Sequence, residues 1–167
     1  MEKSGFFNSS GGDRVYDAAD FAGYFAKLVT NGIFYADVNN LKVTVSEGMQ
    51  VSVAPGSAWI KGYAYENTLP LQLSLTTANG TYPRIDRVVL RLSAVDRNIV
   101  LAVKTGTALD LPVPPALTCT AEVYELGLAD VLVGKGVVSI TQDKITDTRL
   151  DSALCGTVNS LITAVYE

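Results

Sequence analysis

The segment Arg84-Ile-Asp-Arg-Val-Val-Leu-Arg-Leu92 sets arginine and aspartate among β-branched and aliphatic residues, and Ile145-Thr-Asp-Thr-Arg149 does so again far downstream. Residues of the Val and Ile type favour strands, so both segments write charge into or against a sheet. An unpaired charge in such a place is expensive, because the protein interior does not replace the water it loses. The fold must therefore bring acids and arginines together. Asp86 with Arg87, and Asp147 with Arg149, are the structural ion pairs expected from nearness in sequence.

Composition permits an ordinary core. With 167 residues, 48% of them hydrophobic and 18% charged, the chain is long enough to fold without staples and lies well outside the disordered regime. The net charge of -4 and the scattered cations offer no basic track for a phosphate backbone, which argues against nucleic acid as a ligand. The N-terminus lacks the apolar core of a secretory signal, and no run has the length of a bilayer span. Folding in the cytoplasm without membrane insertion is expected. Cys119 and Cys155 are far apart and lack metal-ligand spacing, so two free thiols are expected in a reducing compartment.

The pattern along the chain is mostly of period two. Residues 1–15 read as a polar arm around Phe6 and Phe7, with a flexible Ser9-Ser10-Gly11-Gly12. Asp17 is a good N-cap with Asp20 at the third helical position. Phe21, Tyr24, Phe25 and Leu28 follow at helical spacing, which predicts an amphipathic helix over 18–30 whose aromatic stripe packs on a sheet.

Leu41, Val43, Val45 and then Met49, Val51, Val53 alternate about Glu47-Gly48, a hairpin signature. Residues 57–65 predict a strand bent at Gly62. Further strands are expected over 69–75, 84–92 and 99–104, with a turn at Asp96-Arg97-Asn98. Residues 106–118, with Pro112, Pro114 and Pro115, predict a long surface connection. Residues 122–133 fit strand or helix, and Gly127 tips the balance to strand. A short strand from Val137 to Ile140 leads to Ile145. Beyond Gly156, the residues Val158, Leu161, Ile162 and Val165 lie on one helical stripe, which predicts a C-terminal helix over 157–167 and makes these four residues the candidate oligomer contact. The expected fold is mainly β: an antiparallel sandwich or barrel spanning 1–156 as one domain, with an N-terminal packed helix and a C-terminal helical exit.

Catalytic chemistry finds little footing. The chain contains no histidine, which removes the commonest base for a serine or cysteine nucleophile. A carboxylate pair of the glycosidase kind is open to Asp86, Asp96, Asp110, Asp147 and Asp151, but an arginine beside Asp86 or Asp147 lowers an acid that a general acid needs raised. Asp143, Asp147 and Asp151 recur every four residues without a calcium-loop glycine or terminal glutamate. No phosphate loop is present. The sequence names no catalytic, cofactor-binding or metal residue. Trp59, Tyr63 and Tyr65 form an alternative candidate, a sugar-stacking platform, against the ordinary reading of a half-buried strand.

Taken together, Tyr16-Asp-Ala-Ala-Asp-Phe-Ala-Gly-Tyr-Phe25, Asn31-Gly-Ile-Phe34, the Arg84–Leu92 segment, Pro114-Pro-Ala-Leu-Thr118 and Ile145-Thr-Asp-Thr-Arg149 resemble the N-terminal domain of baseplate upper proteins and tail-fibre-type structural proteins from phages or prophages of Gram-positive bacteria. The likeness spans nearly the whole chain. It implies a non-enzymatic adaptor in the virion tail, assembled in the host cytoplasm, that docks on other tail or baseplate proteins. It also implies a helical and often trimeric stalk, which would begin at Val158 to Val165. The Phe6-Phe7 arm is the candidate docking element, since an exposed aromatic pair on a flexible segment can order against a neighbour.

Overall fold

Period-two alternation becomes ten strands in three antiparallel sheets in a computed structural model that describes Glu2 and residues 4–162. The first sheet joins β1 (Gly32–Ile33), β4 (Gly56–Ile60) and β5 (Tyr63–Asn67) in the order β1-β4-β5. The second joins β7 (Arg84–Ser93), β8 (Asn98–Lys104), β9 (Val123–Val133) and β10 (Ile145–Asp147) in the order β10-β9-β7-β8. The third is β2-β3-β6, from β2 (Val43–Val45), β3 (Gln50–Val53) and β6 (Leu71–Ser74). β2 approaches β10 and β6 approaches β8, so the third sheet faces the second in a sandwich-like arrangement. One core runs between the inner faces, from Ile33, Ala58 and Ile60 through Val51 and Val53 to Val88, Leu90, Leu128 and Val131.

Local chemistry sets the turns. The Glu47-Gly48 hairpin joins β2 to β3 with Val43 opposite Val53. The strand expected to bend at Gly62 is instead a hairpin: Lys61 and Gly62 both take positive φ, +53° and +84°, the pattern of a two-residue type I′ turn between β4 and β5. Gly62 is required on a second ground, because a Cβ there would overlap the carbonyl of Ala22 in the helix above it. The ambiguous stretch 122–133 is the long strand β9. Val137 to Ile140 is not a strand; that segment is tied by single hydrogen bonds, such as Ile140 N–H to the Gly48 carbonyl (3.0 Å).

Both helical expectations need correction, and one contact accounts for both. Helix α1 spans Ala18–Phe25, capped by reciprocal bonds between Asp17 and Asp20. It stops five residues short of Thr30, because the residues after it are taken by the C-terminal segment. Val29 bridges to Ser160, Thr30 Oγ1 donates to the Thr157 carbonyl, and Leu161 N–H donates to the Leu28 carbonyl. Val158 N–H in turn donates to Ile33. Residues 157–162 are thus extended rather than helical, since β-branched Val29 and Thr30 offer backbone partners that an isolated short helix cannot match. Leu161 and Ile162 are about half exposed; Val165 lies outside the described residues. The helix does not bury its aromatic stripe either: only Ala22 is buried, while Phe21, Tyr24 and Phe25 remain partly exposed.

Gly62→Ala is expected to destabilise the protein by about 1–3 kcal/mol, since an alanine there both strains the left-handed turn and lifts α1 from the sheet. Urea unfolding of the variant checks this.

Candidate functional site

Side chains that alternate across a strand cannot pair with their sequence neighbours, and this reassigns the ion pairs. Asp86 does not meet Arg87, because adjacent residues in β7 face opposite sides of the sheet. Asp86 pairs instead with Arg84, two residues away on the same face, at 2.9 Å with both side chains buried. Arg87 crosses to Asp130 on β9 at 2.6 Å. Asp147 and Arg149 do pair, at 2.7 Å, again two residues apart.

Each of these arginines also holds backbone. Arg84 donates to the carbonyls of Thr76 and Thr77 (2.5 and 2.8 Å), in the connection entering β7. Arg87 donates to the Pro115 carbonyl (3.0 Å) in the proline-rich connection. Arg149 donates to the carbonyls of Val38 and Asn40 (3.1 and 2.6 Å). The fixed fork of the guanidinium suits this work, offering several donors in one plane and no route to deprotonation. In each case one carboxylate neutralises the charge while the remaining donors satisfy carbonyls that no strand partner reaches.

The outer face of the second sheet carries the largest of these groups. Glu125, fully buried in its side chain, accepts from Lys104 Nζ at 2.6 Å, from Arg91 at 3.3 Å and from the Thr118 N–H at 2.6 Å. Lys104 Nζ also donates to the Ala116 carbonyl. A bulge in β9 makes the layer: Val88 faces Ala129 but Val89 faces Gly127, leaving Leu128 as the extra residue. Glu125 and Asp130 are five apart and would face opposite ways in a regular strand. The bulge turns both toward Arg91 and Arg87, which are four apart. Thr148 and Leu154 occupy the backbone groups that the bulge frees.

Burial pushes the Glu125 carboxyl upward, but hydrogen bonds from Lys104 and Thr118 outweigh it and leave its pKa below the usual carboxylate range. Asp147 is likewise held low, first by its hydrogen bond from Arg149. Both acids are set to stay ionised. Cys155 is buried, which pushes its thiol up to about 12, and Cys119 is exposed; both are free. Among the described residues no group of three or more Cys, Asp or Glu side chains is placed to hold a metal.

The exposed feature is aromatic. All five phenylalanines lie between residues 6 and 34, and none is buried: Phe6, Phe7, Phe21, Phe25 and Phe34 are 39% to 59% exposed. Ring contacts run unbroken from Tyr16 to Phe6 (5.8 Å), Tyr24 (4.9 Å), Phe25 (5.9 Å), Trp59 (5.4 Å) and Phe34 (6.2 Å). Phe6 is held in the left-handed region at φ +64°, a cost for a non-glycine residue that its three ring contacts offset. The Tyr16 hydroxyl anchors the arm through the backbone of Phe7, and the Arg14 guanidinium sits 5.2 Å above the Phe7 ring. The arm thus folds along α1. Between the two runs a groove of about 400 Å³, lined by Phe6, Tyr16, Asp20, Gly23, Tyr24 and Lys27.

The three-ring sugar platform is not assembled. Trp59 sits opposite Ala64, whereas Tyr63 and Tyr65 sit opposite Ile60 and Ala58 on the core side of the same sheet. Trp59 belongs to the aromatic ridge, its ring nearly perpendicular to those of Phe25 and Phe34 (82° to each). Sequence reasoning found Phe6 and Phe7 but missed Phe34 and Trp59 as ridge members, and it missed Arg84, Glu125 and Asp130 as ion-pair partners. Glu125 and Asp130 were signalled only by two acids inside an apolar strand. Comparison with family models, with curated proteins and with solved structures finds no match to this chain.

Two outcomes are expected. Asp86→Ala should cost about 3–5 kcal/mol, because it strands a buried guanidinium and the Gly106 N–H that Asp86 also accepts. Asp147→Ala should cost less, since that carboxylate is about half exposed; the order of the two melting temperatures decides. Stability should also depend on acid. Glu125 and Asp147 have folded values below their unfolded ones, so their contribution is complete above the ordinary 4.5 and 3.8 and disappears as pH falls through the depressed folded values. Urea midpoints taken from neutral pH to strong acid should drop below about pH 4.5, and less steeply in Glu125→Gln.

Proposed function

We propose that this chain is a non-enzymatic structural protein of a phage or prophage-derived particle, an adaptor that docks receptor-binding parts onto the tail or baseplate. The observation that carries the reading is the placement of the phenylalanines. Phe is among the residues most often buried, yet here the core is built mainly from Val, Leu, Ile and Ala while every Phe is exposed, four of the five joined in one chain of ring contacts and Phe7 covered by Arg14. Contiguous exposed aromatic surface marks a contact with another macromolecule.

Two further features support it. Buried acids are engaged in holding connections rigid, as suits a platform that must present a surface in fixed geometry. The resemblance of the five sequence segments to baseplate and tail-fibre N-terminal domains supplies the setting: a virion tail built in the host cytoplasm, with the chain as a homo-oligomer, trimeric by analogy. Under this reading the arm, with Phe6 and Phe7, and α1, with Phe21 and Tyr24, form a single docking face. Leu161 and Ile162 lie beside Leu28, just past the C-terminal end of α1, and extend that face.

Phe7→Ser combined with Phe21→Ser should leave the circular dichroism and melting behaviour close to those of the parent, since surface changes usually move stability by about 0.5 kcal/mol or less. The variant should be missing from purified tail particles. Incorporation at the parental level would overturn the adaptor reading.

A further inference from the structure

The proline-rich connection complements the groove between the arm and α1. Leu109-Asp-Leu-Pro-Val-Pro-Pro115 is held at three points along and just beyond it: Leu109 N–H donates to the Pro83 carbonyl, and the carbonyls of Pro115 and Ala116 accept from Arg87 and Lys104. Three of its residues precede a proline, which keeps the backbone extended. Between the anchors the aliphatic side chains point outward, Leu111 at 84% and Val113 at 66% exposed. Two large apolar side chains are thus displayed on a segment that is already ordered, so little entropy remains to be lost on binding.

Aromatic-lined grooves are the usual receptors for such segments, because tyrosine and phenylalanine faces stack on proline and aliphatic side chains. The groove lined by Phe6, Tyr16 and Tyr24 has this character, and its volume of about 400 Å³ falls in the range of roughly 300–1,000 Å³ typical of ligand sites. Gly23 leaves its floor open. One ionic contact is available across such a pairing. Asp110 is the one charged residue type between Gly106 and Thr118, and Lys27 stands at the groove, whose lining also includes Asp20. Neither Asp110 nor Lys27 has an ionic partner among the described residues.

No residue of the anchored segment lines the groove of its own chain. The connection starts beside Pro83, at the Arg84 end of β7. The groove lies over α1, which rests on the Lys61-Gly62 turn, and Lys61 Nζ reaches the ring of Tyr124, opposite Leu92 at the other end of that strand. With Leu109 fixed at Pro83 and Pro115 at Arg87, the nearer anchor of the segment stays five strand residues, roughly 17 Å, from Leu92. We propose that the Leu109–Pro115 segment of a second copy of this chain occupies the groove formed by Phe6, Tyr16, Tyr24 and Lys27, giving a head-to-tail contact between copies. Such a contact is heterologous and closes into a ring when its rotation permits. A segment this short buries less than the roughly 1,200 Å² of a stable interface, so assembly is reversible and depends on concentration. The inference rests on the ridge being an assembly face and names its occupant.

The test is sedimentation of the full chain over a range of concentrations, with a synthetic peptide of residues 106–118 as competitor. The parent should associate as concentration rises, and the peptide should dissociate it while changing the fluorescence of Trp59, which touches the ridge through Phe25. Leu111→Asp with Val113→Asp should weaken association by about tenfold or more, one unit of 1.4 kcal/mol. Lys27→Glu and Asp110→Lys should each weaken it by about two- to fivefold, and the two together in one chain should restore it. A parent that stays monomeric and ignores the peptide overturns the proposal, as does unchanged association of the Leu111, Val113 variant. If particle incorporation still requires Phe7 and Phe21 in that case, the assembly face stands and only its occupant is wrong.

Discussion

Arg84, Arg87 and Arg149 are each joined to one carboxylate and to the carbonyls of a connection that no strand reaches. The rest of the structure depends on this arrangement. A chain with three small sheets and long irregular connections leaves many backbone carbonyls without ladder partners, and burying them unpaired costs free energy at every one. A guanidinium answers several at once, and its own charge is neutralised by an aspartate two residues along or across the sheet. The result is connections held by ion pairs and backbone hydrogen bonds, in a fold whose cysteines stay free.

The bulge in β9 is the device that allows the second sheet to carry charge on its outer face. Without the extra residue at Leu128, either Glu125 or Asp130 would point into the core among Val131, Val88 and Leu90. With it, both acids lie beneath the proline-rich connection, Asp130 paired with Arg87 and Glu125 held ionised by Lys104 and the Thr118 amide. One irregularity therefore links packing to electrostatics. The same charged layer anchors Pro115, Ala116 and Thr118, in the connection on which Leu111 and Val113 are exposed.

The aromatic ridge follows a different logic. Its rings contact one another more than they contact the core, so their arrangement is maintained by edge-to-face packing along the arm and α1. Such surface is costly to leave in water and contributes little to the stability of the domain that carries it. Under the adaptor reading proposed above it has a use, because the apolar area removed from water when a neighbour docks is then available to the contact. Rigid anchors beneath and unsatisfied aromatic surface above suit a component that positions other parts.

The sequence by itself determined the mainly β character, the Glu47-Gly48 hairpin, the N-cap at Asp17, the proline-rich connection and the need for Asp and Arg to meet near residues 84–92 and 145–149, because periodicity, turn chemistry and desolvation are local properties. It could not assign partners. Asp86 belongs to Arg84, and Arg87 to Asp130, because strand alternation separates neighbours and register brings distant residues together. Only the tertiary structure decided that Trp59 turns away from Tyr63 and Tyr65, and that 157–162 is extended. In the first case the deciding fact is the register of β4 with β5; in the second it is a backbone pairing with residues 28–33, more than 120 positions away, which outweighs the helical spacing of Val158, Leu161 and Ile162.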